Sequence, residues 1–185
     1  MNRLSIFATL AALAVTAHAY AADAPTLTPE LQPLDIASGT WQYHGENLAT
    51  ADQKAGKWTW LEECEWSANH AFMSCSFTMN WPDKVVKSQA VSTYNYSDKS
   101  YWHYEMFDSD NGGADPFIAR MTIAGNTWTH YGNADKKTYR VIYHYVSPTQ
   151  VTVRIELSSD NVHWATLAQG EGVKDVRATM RNSNR

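Results

Sequence analysis

Three pairs of polar residues stand two or four positions apart in segments that otherwise read as strands: His103 and Glu105, Arg140 and His144, and Arg154 and Glu156. Side chains at even spacings on a strand project from the same face. Each pair could therefore be an acid–base couple or an ion pair. If all six faced one cavity, they would form a polar cluster suited to proton transfer in an isomerase or lyase that needs no cofactor. If they faced water, they would be the ordinary polar side of a half-buried sheet. Buried charges without partners are costly, so an interior cluster would have to be mutually bonded.

Other chemistry finds less support in the sequence. There is no G-x-S-x-G nucleophile turn and no phosphate-binding glycine loop. Asp108-Ser109-Asp110-Asn111-Gly112 has the opening of a calcium loop. However, Gly112 takes the fifth position, where Asp or Asn is wanted, and Ala119 stands where the bidentate Glu belongs. It reads as a hairpin turn, and no metal site is expected. His103, His130 and His144 are haem ligands only in a minor alternative, because no C-x-x-C-H attachment sequence is present. No cofactor is expected. The scattered Lys and Arg of a mildly acidic chain give no footprint for nucleic acid.

Cys64 and Cys75 are the two cysteines. Ten residues separate them, and His70 is the sole histidine among these, so a zinc pair is a poor reading. A disulfide agrees better with the N-terminus. There, Arg3 precedes the apolar run Leu4 to Val15, and Ala17-His18-Ala19 supplies a small-x-small cleavage pattern. Residues 1–19 are read as a signal peptide, with the cut anywhere from 19 to 22. The protein is expected in the periplasm or secreted, where cysteines pair. Of 15 Lys and Arg only Arg3 lies in the leader, against 19 Asp and Glu, so the mature part carries five more acids than bases.

Residues 20–38 are read as a tether with a short helical turn, capped by Thr28, started by Pro29 and broken by Pro33. From Gly39 the hydrophobic period becomes 2. Strands are expected over Gly39–Gly45, Lys57–Trp66, Phe72–Trp81, Val85–Tyr96 and Ser100–Phe107. They continue over Phe117–Ala124, Asn126–Tyr131, Thr138–Val146, Gln150–Leu157 and His163–Ala178, and a polar tail closes the chain at 181–185. Turn clusters between them force antiparallel neighbours. About ten such strands without a crossover helix need two sheets or a closed barrel to hide their edges. Gly170 and Gly172 read as a bulge or bend that helps closure. In the hairpin centred on Asn69-His70, one register sets Cys64 opposite Cys75, Trp60 opposite Met79 and Trp66 opposite Met73, with the cysteine Cα atoms about 4.5 Å apart.

Gly39-Thr40-Trp41 at the start of the first strand resembles the G-x-W signature of lipocalin-like barrels. The wider order is more specific: Cys64-Glu65-Trp66, Phe72-Met73-Ser74-Cys75, Tyr94-Asn95-Tyr96, Thr127-Trp128-Thr129 and Glu156-Leu157-Ser158-Ser159-Asp160 with Trp164. It resembles the exported bacterial family called domain of unknown function 1579, over essentially the whole mature chain. Asn161 and Ser97 depart from that family at turn positions. The resemblance implies an all-β, up-and-down antiparallel barrel over residues 39–180. It also implies that Trp41 plugs one end, with Gly39 beside it and an arginine stacked across, for which Arg177 is placed first and Arg154 second. It implies no activity, since that family has none established.

The reading that follows is a monomeric barrel that binds a small, mainly apolar molecule along its aromatic stripes (Trp58, Trp60, Tyr139, Tyr143, Tyr145). The alternatives are the cofactor-independent enzyme described above and an interaction module for envelope assembly. The latter predicts a large exposed apolar patch or a free strand edge.

Overall fold

The computed structural model describes residues 26–50, 54–108, 116–134 and 137–176. The signal segment, the polar tail, Arg177 and most of the Asp108–Gly112 turn lie outside the described residues. Ten strands form a closed barrel in which each pairs antiparallel with its neighbours in sequence and the last returns to the first. They are β1 (Gly39–Asn47), β2 (Gly56–Trp66), β3 (Met73–Asn80), β4 (Val85–Asn95) and β5 (Ser100–Asp108). These are followed by β6 (Phe117–Ala124), β7 (Thr127–Ala134), β8 (Lys137–Ser147), β9 (Gln150–Ser158) and β10 (Ala165–Lys174). No helix among the described residues is long and apolar enough to cross a membrane.

The alternation in β2 shows why these segments are strands. Trp58, Trp60, Glu62 and Cys64 are buried, while Lys57, Thr59, Leu61, Glu63 and Glu65 between them are exposed. A period of 2 can only be satisfied by one face in and one face out. The β2–β3 register sets Trp60 opposite Met79, Cys64 opposite Cys75 and Trp66 opposite Met73. The two cysteines are joined, with Cα atoms 4.1 Å apart. One residue of register slip would turn the whole apolar stripe outward, so stripe and sulfurs fix the same pairing.

The N-terminal segment closes one end of the barrel but not as the sequence suggests. The turn of helix is a 3-10 segment over Gln32–Ala37, with Pro33 at its start. Proline suits that position because its fixed φ fits and its missing N–H would have no partner there. Pro33 thus starts the turn rather than breaking it. Thr28 does not cap the helix; its hydroxyl meets the Tyr96 hydroxyl at 2.7 Å.

Gly170 and Gly172 do not form the bulge either. The register shift lies between Thr166 and Ala168. Gly45 and Gly170 instead sit against the Trp58 ring, and Gly172 against Tyr43. A Cβ at Gly45 or Gly170 would come within 2.3 to 2.7 Å of that indole, so these glycines make room for aromatic rings inside the wall.

Candidate functional site

The barrel wall separates the six polar residues singled out in the sequence. His103 and Glu105 point inward from β5. Arg140 and His144 on β8, and Arg154 and Glu156 on β9, alternate with the inward-facing Tyr143, Tyr145, Val151 and Val153 and belong to the outer face. The six do not converge on one cavity. Period-2 patterning groups residues by face but does not say which face is inside when both carry polar groups.

The outer cluster is self-contained. Glu156 forms ion pairs with Arg140 and Arg154, the latter at 2.8 Å. The Arg140 guanidinium lies 4.1 Å from the centroid of the Trp164 ring. The Ser158–Trp164 segment folds back over these side chains, held by Asp160, which accepts hydrogen bonds from the backbone of Val162 and His163. Glu156 is buried although it lies on the outer face, where Arg140 and Arg154 both pair with it. His144 is exposed, with Nδ1 3.0 Å from the Thr127 hydroxyl, on the wall of a shallow external groove that also holds Arg154, His44 and Glu171.

The inner cluster is incomplete. His103 lies with Nδ1 3.0 Å from the Ser92 hydroxyl and Nε2 3.5 Å from Glu105 Oε2. Glu105 Oε1 accepts the Ser88 hydroxyl at 2.5 Å. The His130 ring lies 4.8 Å from that of His103, centroid to centroid, and 5.3 Å from Tyr143. Four buried atoms in this middle section lack a hydrogen-bond partner: Tyr43 Oη, Trp60 Nε1, Glu62 Oε2 and His130 Nε2. Buried polar atoms are normally satisfied, and each orphan costs about 1–3 kcal/mol. Several in one compartment mark a place where water or a ligand supplies the missing bonds.

Burial also sets the charge state of this compartment. Desolvation pushes Glu62 up to about 7; the nearby Tyr43 hydroxyl, outside normal hydrogen-bond geometry, tempers the rise, and the Glu105 charge adds to it. Glu62 Oε1 lies 3.2 Å from Cys64 Sγ. An oxidised sulfur has no proton to give, so a hydrogen bond there needs the proton on Glu62. The Glu62, Cys64 and Cys75 donor atoms fall within 4.8 Å of one another, but the disulfide uses both sulfurs. Burial, with His103 close by, drives His130 well below its ordinary value. Burial first, then Glu62, raises the Tyr43 and Tyr143 hydroxyls well above theirs. The His130 imidazole and the Tyr43 and Tyr143 hydroxyls are therefore neutral near pH 7. His103 and His130 share it and His144 does not, so the three histidines considered for haem do not converge.

At the closed end Trp41 is fully buried, its indole N–H donating to Ala37 O at 3.1 Å. Gly39 sits beside it with a φ of 103°, a conformation that favours glycine. The cation over the Trp41 ring is Lys174, with Nζ 5.4 Å from the centroid and donating to Ile36 O at 3.2 Å. Arg154 is not the stacking residue, since it faces outward; Arg177 lies outside the described residues.

Sequence reasoning passed over Glu62, Ser88 and Ser92. Glu62 carried a usable signal as the one charged residue on the stripe Trp58, Trp60, Glu62, Cys64 and Trp66. Ser88 and Ser92 carried none, because β4 alternates small polar residues with Gln89, Val91 and Thr93, and neither face stands out.

A family model described as "Protein of unknown function (DUF1579)" matches residues 26–172, and the chain belongs to this family. No curated protein matches the chain. Among solved structures, Rv2717c from M. tuberculosis superposes with a TM-score of 0.56 at 8% identity, covering 81% of this chain and 99% of that one. The S-type phycobiliprotein lyase CPES from Guillardia theta superposes with a TM-score of 0.56 at 9% identity, covering 78% and 91%. At these identities the likeness shows a shared barrel fold.

Proposed function

We propose that this is an exported, monomeric binding protein, periplasmic or secreted, whose barrel interior takes a small organic molecule. The molecule has an apolar body and at least one hydrogen-bonding group. The observation that carries this reading is the set of orphaned atoms on Tyr43, Trp60, Glu62 and His130, enclosed by an aromatic wall. A mainly apolar ligand was the expectation from the strands; the orphans ask in addition for a polar group that can donate and accept. The shared fold supports a barrel able to hold a small ligand and leaves its identity to this chain's own residues. Export is supported by the leader-like residues 1–19 and by the Cys64–Cys75 bridge.

Native mass spectrometry on protein purified from its own cell envelope tests the reading. The expected result is a non-covalent small molecule that is lost on denaturation and weakened when Tyr43→Phe and Glu62→Gln are combined. Protein that is always empty and has no affinity for aromatic organic probes overturns it.

A second reading, an envelope interaction module, draws on the outer face of β5 to β7. There Tyr104, Met106, Ile118 and Tyr131 are each at least 40% exposed around Arg120. It predicts an association, visible by sedimentation, that Tyr104→Lys abolishes. A species that stays monomeric with every envelope fraction removes it.

A further inference from the structure

The inner cluster has a directionality that binding alone does not require. Glu105 spends Oε1 on the Ser88 hydroxyl, leaving Oε2 to face His103 Nε2 at 3.5 Å. A carboxylate is an acceptor only, so it favours the imidazole tautomer with the proton on Nε2. The lone pair is then on Nδ1, 3.0 Å from the Ser92 hydroxyl, which must donate to it. A serine hydrogen-bonded to a histidine whose far nitrogen faces a carboxylate at ion-pair distance is the order of groups around an activated nucleophile. Local sequence makes the arrangement possible. Ser92 and His103 are directly opposed across the β4–β5 pair, and Glu105 follows His103 on the same face. Across from the histidine on β6 and from the carboxylate on β4 stand the small Ala119 and Ala90, while Phe117, opposite the carboxylate on β6, lies edge-on to the imidazole. Beside the imidazole stands His130, neutral by burial, with Nε2 unpartnered. With its proton on Nε2 it offers an N–H to a developing oxyanion.

The geometry points to Ser92, His103 and Glu105 as nucleophile, general base and positioning carboxylate for acyl transfer from small esters to water. This rests on the reading that small molecules enter the barrel interior. Ser92 Oγ bonds to the acyl carbon as its proton passes to His103 Nδ1 and the carbonyl electron pair moves to oxygen. When that pair returns, the bond to the leaving alcohol breaks and the alcohol takes the proton from Nδ1. Water then attacks the acyl-Ser92 ester, giving a proton to Nδ1, and the carboxylic acid leaves as Ser92 recovers its proton. The net change is ester plus water to acid plus alcohol. The enclosing aromatic wall restricts the substrate to compact, uncharged esters.

The probe is 4-nitrophenyl acetate, with 4-nitroacetanilide as its unreactive amide counterpart. The full exported chain should release a burst of about one 4-nitrophenolate and carry one acetyl group, mapped to Ser92. Ser92→Ala should abolish the burst, and Ser74→Ala on the outer face should leave it intact. His103→Gln should slow acylation about 100-fold or more. Glu105→Gln should slow it and also shift its pH profile, which a purely structural role would not do. His103→Gln keeps the test decisive if Ser92→Ala does not fold. No burst, a burst unchanged in Ser92→Ala, or acetylation confined to surface lysines overturns the assignment. Binding of 4-nitroacetanilide without acetylation by the ester would remove acyl transfer and leave the binding reading standing. If neither compound enters the barrel, both readings fall together.

Discussion

The closed end of the barrel and its middle are built from the same residue types, yet they treat polar atoms in opposite ways. At the closed end the Trp41 indole donates to Ala37 O, the Trp66 indole to Asp35, the Tyr101 hydroxyl to Glu30 O and Lys174 to Ile36 O. In the middle, the Trp60 indole, the Tyr43 hydroxyl, Glu62 Oε2 and His130 Nε2 have no partner. One end of the chain supplies the difference. The 3-10 turn over Gln32–Ala37 and the residues before it bring backbone carbonyls to the closed end, and nothing among the described residues brings them to the middle. A satisfied region stabilises; the unsatisfied, enclosed one is where the proposed ligand would find its hydrogen-bond partners.

If the closed end is the stabilising region, Trp41→Ala should be among the most damaging single changes. It removes a fully buried ring and should lower stability by about 3–5 kcal/mol. Thr129→Ala, a half-buried strand position, is the control and should change stability by about 0.5 kcal/mol or less. Equal losses in thermal unfolding would break the comparison at its firmer side.

Glu62 tests the middle. Its carboxyl is held at about 7 when folded, against an ordinary value of 4.5. The folded state therefore keeps a proton that the unfolded chain has lost, and stability should fall as pH rises from about 4.5 to about 7. It should then level off, with about 3 kcal/mol lost. Glu62→Gln removes that dependence. Urea unfolding should find it near parity with the parent protein at pH 4.5 and up to about 3 kcal/mol more stable at pH 8. His130 contributes equally to both proteins and drops out of the difference. A parallel pH dependence in the two proteins would mean that the middle compartment is solvated.

The disulfide lies between the two regions and should contribute about 2–3 kcal/mol. Non-reducing peptide mapping should show Cys64 linked to Cys75, and the double alanine variant is the cleaner comparison because a single one exposes a thiol. The outer cluster should give the smallest effect. Arg154 is half exposed, and Glu156 keeps Arg140 when it is lost, so Arg154→Ala should cost about 1 kcal/mol or less. A larger loss would place the Arg140–Glu156–Arg154 group with the closed end as a main support of the fold.

The ten strands, their order and the cysteine register were legible because each rests on local information. A stripe such as Trp58-x-Trp60 fixes a face, and turns such as Gly125-Asn126 fix antiparallel neighbours. The burial of Trp41 was legible through Gly39-Thr40-Trp41, but its cationic neighbour was not. Lys174 reaches the ring because β10 pairs with β1 at Trp41, a pairing that closes the barrel across more than 130 residues. Pro33 was misjudged because a proline that starts a 3-10 turn and one that ends a helix look alike in sequence.

The sequence by itself determined the all-β class, the alternation of faces and the pairing of Cys64 with Cys75, since period-2 patterning and turn chemistry act within a few residues. Only the tertiary structure decided which polar residues meet. His103–Glu105 and Arg154–Glu156 have the same spacing and similar neighbours, yet one pair lies inside with His130 and Ser92, and the other outside beside Arg140. The physical reason is that inside and outside are properties of the closed wall. Strand curvature and the return of β10 to β1 set which face is enclosed, and with it which carboxylate becomes a surface ion pair and which faces an imidazole in the dark of the barrel.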